Sequence, residues 1–148
     1  MNSVVGHDVH LVVGHDGHAA ADAALVVAVD LAERLSADVH VVHCVAIEEF
    51  GVDPDTEQFE SERDRNVTRE REAIEAALRT ATIAWTYHEE RGEPSARLRH
   101  LADELDALFI VVGASHRGAF HHLTGASVSR RLLHDQHRPV LVVPAPQT

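Results

Sequence analysis

The sequence predicts an α/β fold: a five-stranded parallel sheet with helices on both faces, in the Rossmann-like manner. Three observations predict it. Five short runs are rich in β-branched residues, longer helix-forming stretches lie between them, and glycine- or proline-containing breaks mark the changes of pattern. Strands that alternate with helices join through right-handed crossovers, which makes the sheet parallel and leaves the helices to cover it.

Residues 9–13, Val-His-Leu-Val-Val, form the first strand and end in the turn cluster Gly14-His15-Asp16-Gly17. From Ala19 to Leu35, alanine, leucine and valine mix with acids and one arginine over a length suited to a helix. Val39 to Val45 is mostly apolar and β-branched, as a strand covered on both faces would be. Gly51 and Asp53-Pro54-Asp55 then mark a loop, and a helix runs to Arg79 with alternating acids and arginines around an apolar stripe of Val67, Ile74 and Leu78. Such a charge run is the solvated face of a surface helix.

Thr80 to His88 is the third strand, with an alternation suited to a sheet edge and with Trp85 and Tyr87 sharing a face. Gly92-Glu93-Pro94 breaks the chain and places proline in the first turn of a helix to Leu105, whose Leu98, Leu101, Ala102 and Leu105 have helical spacing. Leu108 to Val112 is the fourth strand, a further helix spans residues 127–135, and Pro139 to Pro144 closes the chain as the fifth strand.

Composition removes several functional classes. A chain of 148 residues fits one domain, here 1–148, that buries roughly two-thirds of its unfolded surface. Hydrophobic residues at 45% against 25% charged exclude a disordered chain. All 13 cationic side chains are arginine, so the lysine of a Walker-type phosphate loop and any Schiff-base chemistry are absent. A formal charge of -11 opposes nucleic-acid binding. Cys44 alone gives neither a disulfide nor a cysteine zinc knuckle and reads as a small buried hydrophobe. With no signal segment and no run near the ~18 apolar residues of a membrane span, the expectation is a cytoplasmic protein.

In an open parallel sheet, ligands bind beyond the carboxyl ends of the strands, where strand order reverses. The candidate residues therefore follow strands one, two and four: Gly14, His15 and Asp16; Cys44; and Gly113, Ala114, His116, Arg117 and Gly118. Gly125-Ala126-Ser127-Val128 opens the next helix, where free amides and the helix dipole attract an anion such as phosphate. Asp16 and Ser127 are equally readable as helix caps.

At these residues the chain resembles the universal stress protein family nearly end to end. The resemblance is carried by Val12-Val13-Gly14-His15-Asp16-Gly17, by Gly92-Glu93-Pro94, and by the stretch from Ile110 through Ser127-Val128-Ser129-Arg130-Arg131-Leu132-Leu133-His134 to Pro139-Val140-Leu141-Val142-Val143-Pro144. It implies an ATP-binding, dimeric domain, read here with a divalent ion such as Mg2+ and as a sensor in stress responses; because the motifs assemble no nucleophile, base and oxyanion donors, no catalysis is assigned. Nucleotide-binding members carry G-x-x-G-x9-G-[S/T]. Gly113 and Ser127 match the first glycine and the hydroxyl residue, while His116 and Ala126 stand where the other glycines would be. On the family's pattern Asp16 meets the adenosine sugar or the ion, and backbone at Cys44 meets the adenine edge. Pairing of two subunits through Val140, Leu141, Val142 and Val143 is also implied.

Two other readings stand beside this one. The replaced glycines favour a dimeric interaction protein of the same fold that has lost nucleotide binding. The 13 histidines suggest a metal- or pH-responsive module in which His15, His18, His43 and His116 line one crevice and, with Arg117, attract anions on acidification. No metal-ligand motif such as H-E-x-x-H accompanies them.

Overall fold

A computed structural model describes residues 8–17, 19–45, 57–114 and 138–145. The elements run β1 (Val9–His15), α1 (Ala19–Leu35), β2 (Ala37–Val45), α2 (Glu57–Leu78), β3 (Trp85–Arg91), α3 (Pro94–Leu105), β4 (Phe109–Ala114) and β5 (Val140–Pro144). The strands form one parallel sheet in the order β3-β2-β1-β4-β5. The expected helix over residues 127–135 lies outside the described residues.

Alternation of side chains along each strand divides the core in two. On one face Leu11 and Val13 of β1, Val39 and Val41 of β2 and Val111 of β4 pack beneath α1 and beneath Ile74 and Leu78 of α2. On the other, Val12, Val42, Ile110 and Val112 pack against Leu98, Leu101 and Ala102 of α3. The α1 face is built from Ala20, Ala24, Ala28 and Ala32, which brings its backbone close to the sheet. Gly113 marks the tightest approach: a Cβ there would stand 2.5 Å from the carbonyl carbon and oxygen of Ala20.

Both ends of α3 are fixed by local chemistry. Gly92, at φ +126°, holds a conformation that side chains disfavour. The Glu93 carboxylate accepts from the Ser95 and Ala96 amides at 3.2 and 2.9 Å, and Pro94 occupies the first turn, where no amide is missed. Asp106 closes the helix in the left-handed region. Arg138, entering β5, donates to Asp103 and Asp106 at 3.1 Å and to the Ala107 carbonyl at 2.6 Å.

Strand ends depart from expectation by one or two residues in β2, which starts at Ala37, in β4, which spans Phe109–Ala114, and in β5, which starts at Val140; the departures in β1 and β3 have clear causes. β1 continues through His15, because His15 pairs in register with His43 and its side chain is buried. β3 lies at a sheet edge as expected, yet begins at Trp85 rather than Thr80 and reaches Arg91. The chain turns after Leu78, where the Ala81 amide donates to the Leu78 carbonyl at 3.0 Å, and pairing starts as Val39 donates to Ala84 at 3.0 Å. The polar end Glu89-Glu90-Arg91 reads as loop in sequence, but an edge strand tolerates it.

Candidate functional site

Strand pairing locates the opening. β1 stays paired with β2 as far as His15↔His43, and β4 stays paired with β5 as far as Ala114↔Pro144. Between β1 and β4, pairing covers only Leu11–Val13 against Phe109–Val111. The two strands therefore part over their carboxyl ends, at the point where strand order reverses, which is where an open parallel sheet takes a ligand.

Of the residues singled out in the sequence, Gly14, His15 and Asp16 stand on the β1 side of this opening, Gly113 and Ala114 on the β4 side, and Cys44 one strand beyond β1. His18, His116, Arg117, Gly118, Gly125, Ala126, Ser127 and Val128 lie outside the described residues. Gly17 turns the chain at φ +83°, a region open to glycine. Cys44 is a free, buried thiol within the apolar cluster of Val12, Val42 and Leu98, which is the small-hydrophobe role expected of it. The Gly14 and Gly113 positions are set by packing as well: a Cβ on Gly14 would meet Leu98 Cδ1 at 3.0 Å.

Beneath the turn lies a buried ionic cluster. His15, 1% exposed, places Nδ1 2.8 Å from Glu70 Oε1 and Nε2 2.9 Å from Asp22 Oδ1. A ring with a carboxylate on each nitrogen satisfies both only as imidazolium, since a neutral ring would set a lone pair against a carboxylate oxygen. Burial pulls the His15 pKa down, but the hydrogen bonds and charges of Glu70 and then Asp22 outweigh it and the net shift is upward. Glu70 is shifted the opposite way: burial raises its pKa, and the two histidines bring it below the usual value. Its second oxygen lies 2.7 Å from His43 Nδ1, which also approaches the His15 carbonyl at 3.2 Å. The Gly17 amide is 3.1 Å from His15 Nδ1. With that nitrogen's proton directed to Glu70 the amide gains no hydrogen bond from the ring.

The structure thus brings His15 and His43 together, as their places in the chain suggest, but turns them onto carboxylates. The positive charge that His15 carries is met by Glu70 and Asp22 and is not available to an anion in the opening. Glu70 is the residue that sequence reasoning missed. It sits in the alternating Arg69-Glu70-Arg71-Glu72 run, yet lies four and eight residues before Ile74 and Leu78, on the buried stripe of α2. An acid in phase with an apolar stripe was the available signal.

A second histidine group crosses the opposite face near the β3 edge. His10 Nδ1 lies 3.1 Å from His40 Nε2, and His40 Nδ1 lies 3.1 Å from His88 Nε2. The rings pass one to the next at centroid separations of 5.2 and 5.3 Å, a row rather than a convergent set. Burial, with His88 and His10 alongside, holds the His40 pKa down at about 4. Among the described residues no group of three or more His, Cys, Asp or Glu side chains is arranged to hold a metal ion, and no helix is long and apolar enough to cross a membrane.

An α/β sheet that opens between its first and fourth strands, with an aspartate-glycine turn on the near lip, defines an open Rossmann-like α/β domain. Comparison with known proteins narrows the class: residues 10–144 match the universal stress protein family, and the chain belongs to that family. No curated protein matches the sequence significantly. Among solved structures, a universal stress protein family member from Burkholderia pseudomallei is 25% identical, with 98% of this chain and 100% of that one covered and a TM-score of 0.69. A universal stress protein in complex with cAMP is 20% identical over 93% of this chain and 98% of its own, with a TM-score of 0.67. The universal stress protein from Archaeoglobus fulgidus in complex with dAMP is 22% identical over 91% and 97%, with a TM-score of 0.61. At the identities of the two complexes the likeness is one of fold.

Proposed function

We propose that this protein is a cytoplasmic universal stress protein that binds an adenine nucleotide, ATP with Mg2+ foremost, in the opening between β1 and β4, and acts as a homodimeric sensor rather than a catalyst. The observation that carries the reading is the parting of β1 from β4 with the Asp16 turn at its lip. The cAMP and dAMP complexes of the two neighbours support an adenosine-bearing ligand. Asp16 is suited to accept from sugar hydroxyls, and the glycine-containing stretch 113–127 would receive the phosphates. Catalysis is not proposed, because the described residues at the opening include no nucleophile with an adjacent base.

The dimer reading draws on the β5 edge. Val140, Leu141, Val142 and Val143 form an apolar edge strand bracketed by Pro139 and Pro144, with Leu141 exposed, and an apolar edge invites pairing with a second copy. A second reading, a dimeric interaction protein without nucleotide binding, is favoured by one observation: His116 and Ala126 replace two motif glycines.

Calorimetry with adenosine, cAMP and ATP, the last with and without magnesium, decides between them. Saturable heat with at least one of the three is the expected result, and Asp16→Ala should weaken it about tenfold or more, the worth of a hydrogen bond to a charged group. Absence of heat with all three, in a protein that sediments as a dimer, would establish the second reading.

A further inference from the structure

We propose that Glu70 is a positioning residue for the adenosine end of this site: from α2 it ties the ends of β1 and β2 together through His15 and His43 and so sets the Asp16 turn that meets the nucleoside. The proposal rests on the reading of the opening as an adenine-nucleotide seat, and names a residue of that seat that no sequence motif contains.

The geometry is specific. One carboxylate spans two strands, with Oε1 on His15 at 2.8 Å and Oε2 on His43 at 2.7 Å. These two histidines are register partners at the last paired position of β1. Cys44, whose backbone would face the adenine edge, follows His43 directly, and Asp16 follows His15. The same carboxylate lies 3.8 Å from where a Cβ on Gly17 would be, so it supports the turn from below. On its other nitrogen His15 holds Asp22, in the first turn of α1. Through His15 and His43, one acid therefore fixes the ends of β1 and β2 at the nucleoside end and, through Asp22, the start of the following helix.

The other charged and titratable groups nearby include Asp16 itself, the Tyr87 phenol, Arg71, whose guanidinium stands over the Tyr87 ring at 5.5 Å, and Glu89, the register partner of His43. A helix could have met this surface with a leucine, which would pack without holding either imidazole. Glu70 instead satisfies two buried ring N–H groups, an arrangement that constrains direction as well as distance.

Glu70→Gln is the informative variant, because it keeps the volume while its amide can accept from one imidazole only and must turn N–H groups toward the other. Adenosine and ATP are titrated into wild type and variant by calorimetry at one pH, and the Asp16 and Gly17 amides are followed by NMR. The expected result is an equal loss for both ligands, about tenfold, with the ATP-to-adenosine affinity ratio unchanged and the two amides displaced. A variant that lost general structure would instead lose the phosphate contribution too and change the ratio. Should Glu70→Gln fail to fold, Asp22→Asn, exposed and on the other side of His15, carries the test, with a smaller equal loss of about threefold expected. Equal affinities for wild type and folded variant would overturn the role of Glu70 and leave the nucleotide seat standing. A wild type that binds neither adenosine nor ATP would remove the seat and this inference together.

Discussion

Gly113 occupies the first position of the phosphate motif, but its place in the structure requires glycine for a mechanical reason that can be tested alone. A methyl group on its Cα would stand 2.5 Å from the carbonyl carbon and oxygen of Ala20 and 2.8 Å from Ala20 Cβ, whereas nonbonded carbons rest at about 3.5–4.0 Å. Relief demands that α1 and β4 separate by about an ångström along a face where alanines hold them together. Overfilling a packed core costs about 1–3 kcal/mol, and an obstacle made of backbone puts Gly113→Ala at the top of that range, about 3 kcal/mol. Loss of backbone freedom in the unfolded chain returns only about 0.5–1 kcal/mol.

Gly14 supplies the control. Its added methyl would meet Leu98 Cδ1 at 3.0 Å and Val112 Cγ1 at 3.4 Å. These are side-chain atoms that can rotate away, so Gly14→Ala should cost no more than about 1 kcal/mol. Urea unfolding followed by the fluorescence of Trp85 measures both, and the expected gap between the two alanines is about 2 kcal/mol. Adding Ala20→Gly to Gly113→Ala should leave most of the loss in place, because the contact is with the Ala20 carbonyl rather than its methyl alone. Equal stabilities of Gly113→Ala and Gly14→Ala would refute the packing argument.

Three further perturbations have definite expected outcomes. Glu93→Ala removes the acceptor for two amides at the start of α3 and should lower stability by about 1 kcal/mol in urea unfolding. His40 is neutral in the fold down to about pH 4 but takes a proton near 6.5 once unfolded, so the unfolded chain binds more protons and stability falls as pH drops from 6.5 toward 4. The full difference corresponds to about 3 kcal/mol, and half-burial reduces it to about 1–2 kcal/mol. His40→Val should flatten unfolding midpoints between pH 7 and pH 4.5, and an acid loss undiminished in the variant would remove His40 as its source. His116→Gly with Ala126→Gly should tighten ATP while leaving adenosine unchanged, and equal gains for both ligands in calorimetry would show that those side chains do not obstruct phosphate.

The elements were legible where composition and punctuation agree. Ala19–Leu35 and Pro94–Leu105 are found at the boundaries read from the chain, the first from its alanine and leucine content, the second because Gly92-Glu93-Pro94 combines a bend, an acceptor and a preset φ in consecutive residues. β3 shifted by five residues at its start because Thr80 to Ala84 has strand-like composition but lies where the chain is still turning off α2. Its charged end was hidden because edge position, which excuses charge, is a property of topology. At the site, the strand ends were predictable from the fold, but the partners of His15 were not. Register places His43 beside it, and the pitch of α2 brings Glu70 beneath both, two facts that depend on elements about 30 and 55 residues away. The need for glycine at 113 was likewise invisible, because Ala20 approaches it through backbone rather than through a side chain.

The Arg138 clamp has a consequence for how ligand choice can change in such a chain. β4 is locked to β5 as far as Ala114 by strand pairing, and the approach to β5 is riveted to the far end of α3 by one guanidinium. Both anchors are made by groups outside residues 115–137. A grafted or randomised version of that stretch thus enters a frame whose two attachment points stand on their own, and selection on what the stretch recognises is uncoupled from selection on the sheet that carries it.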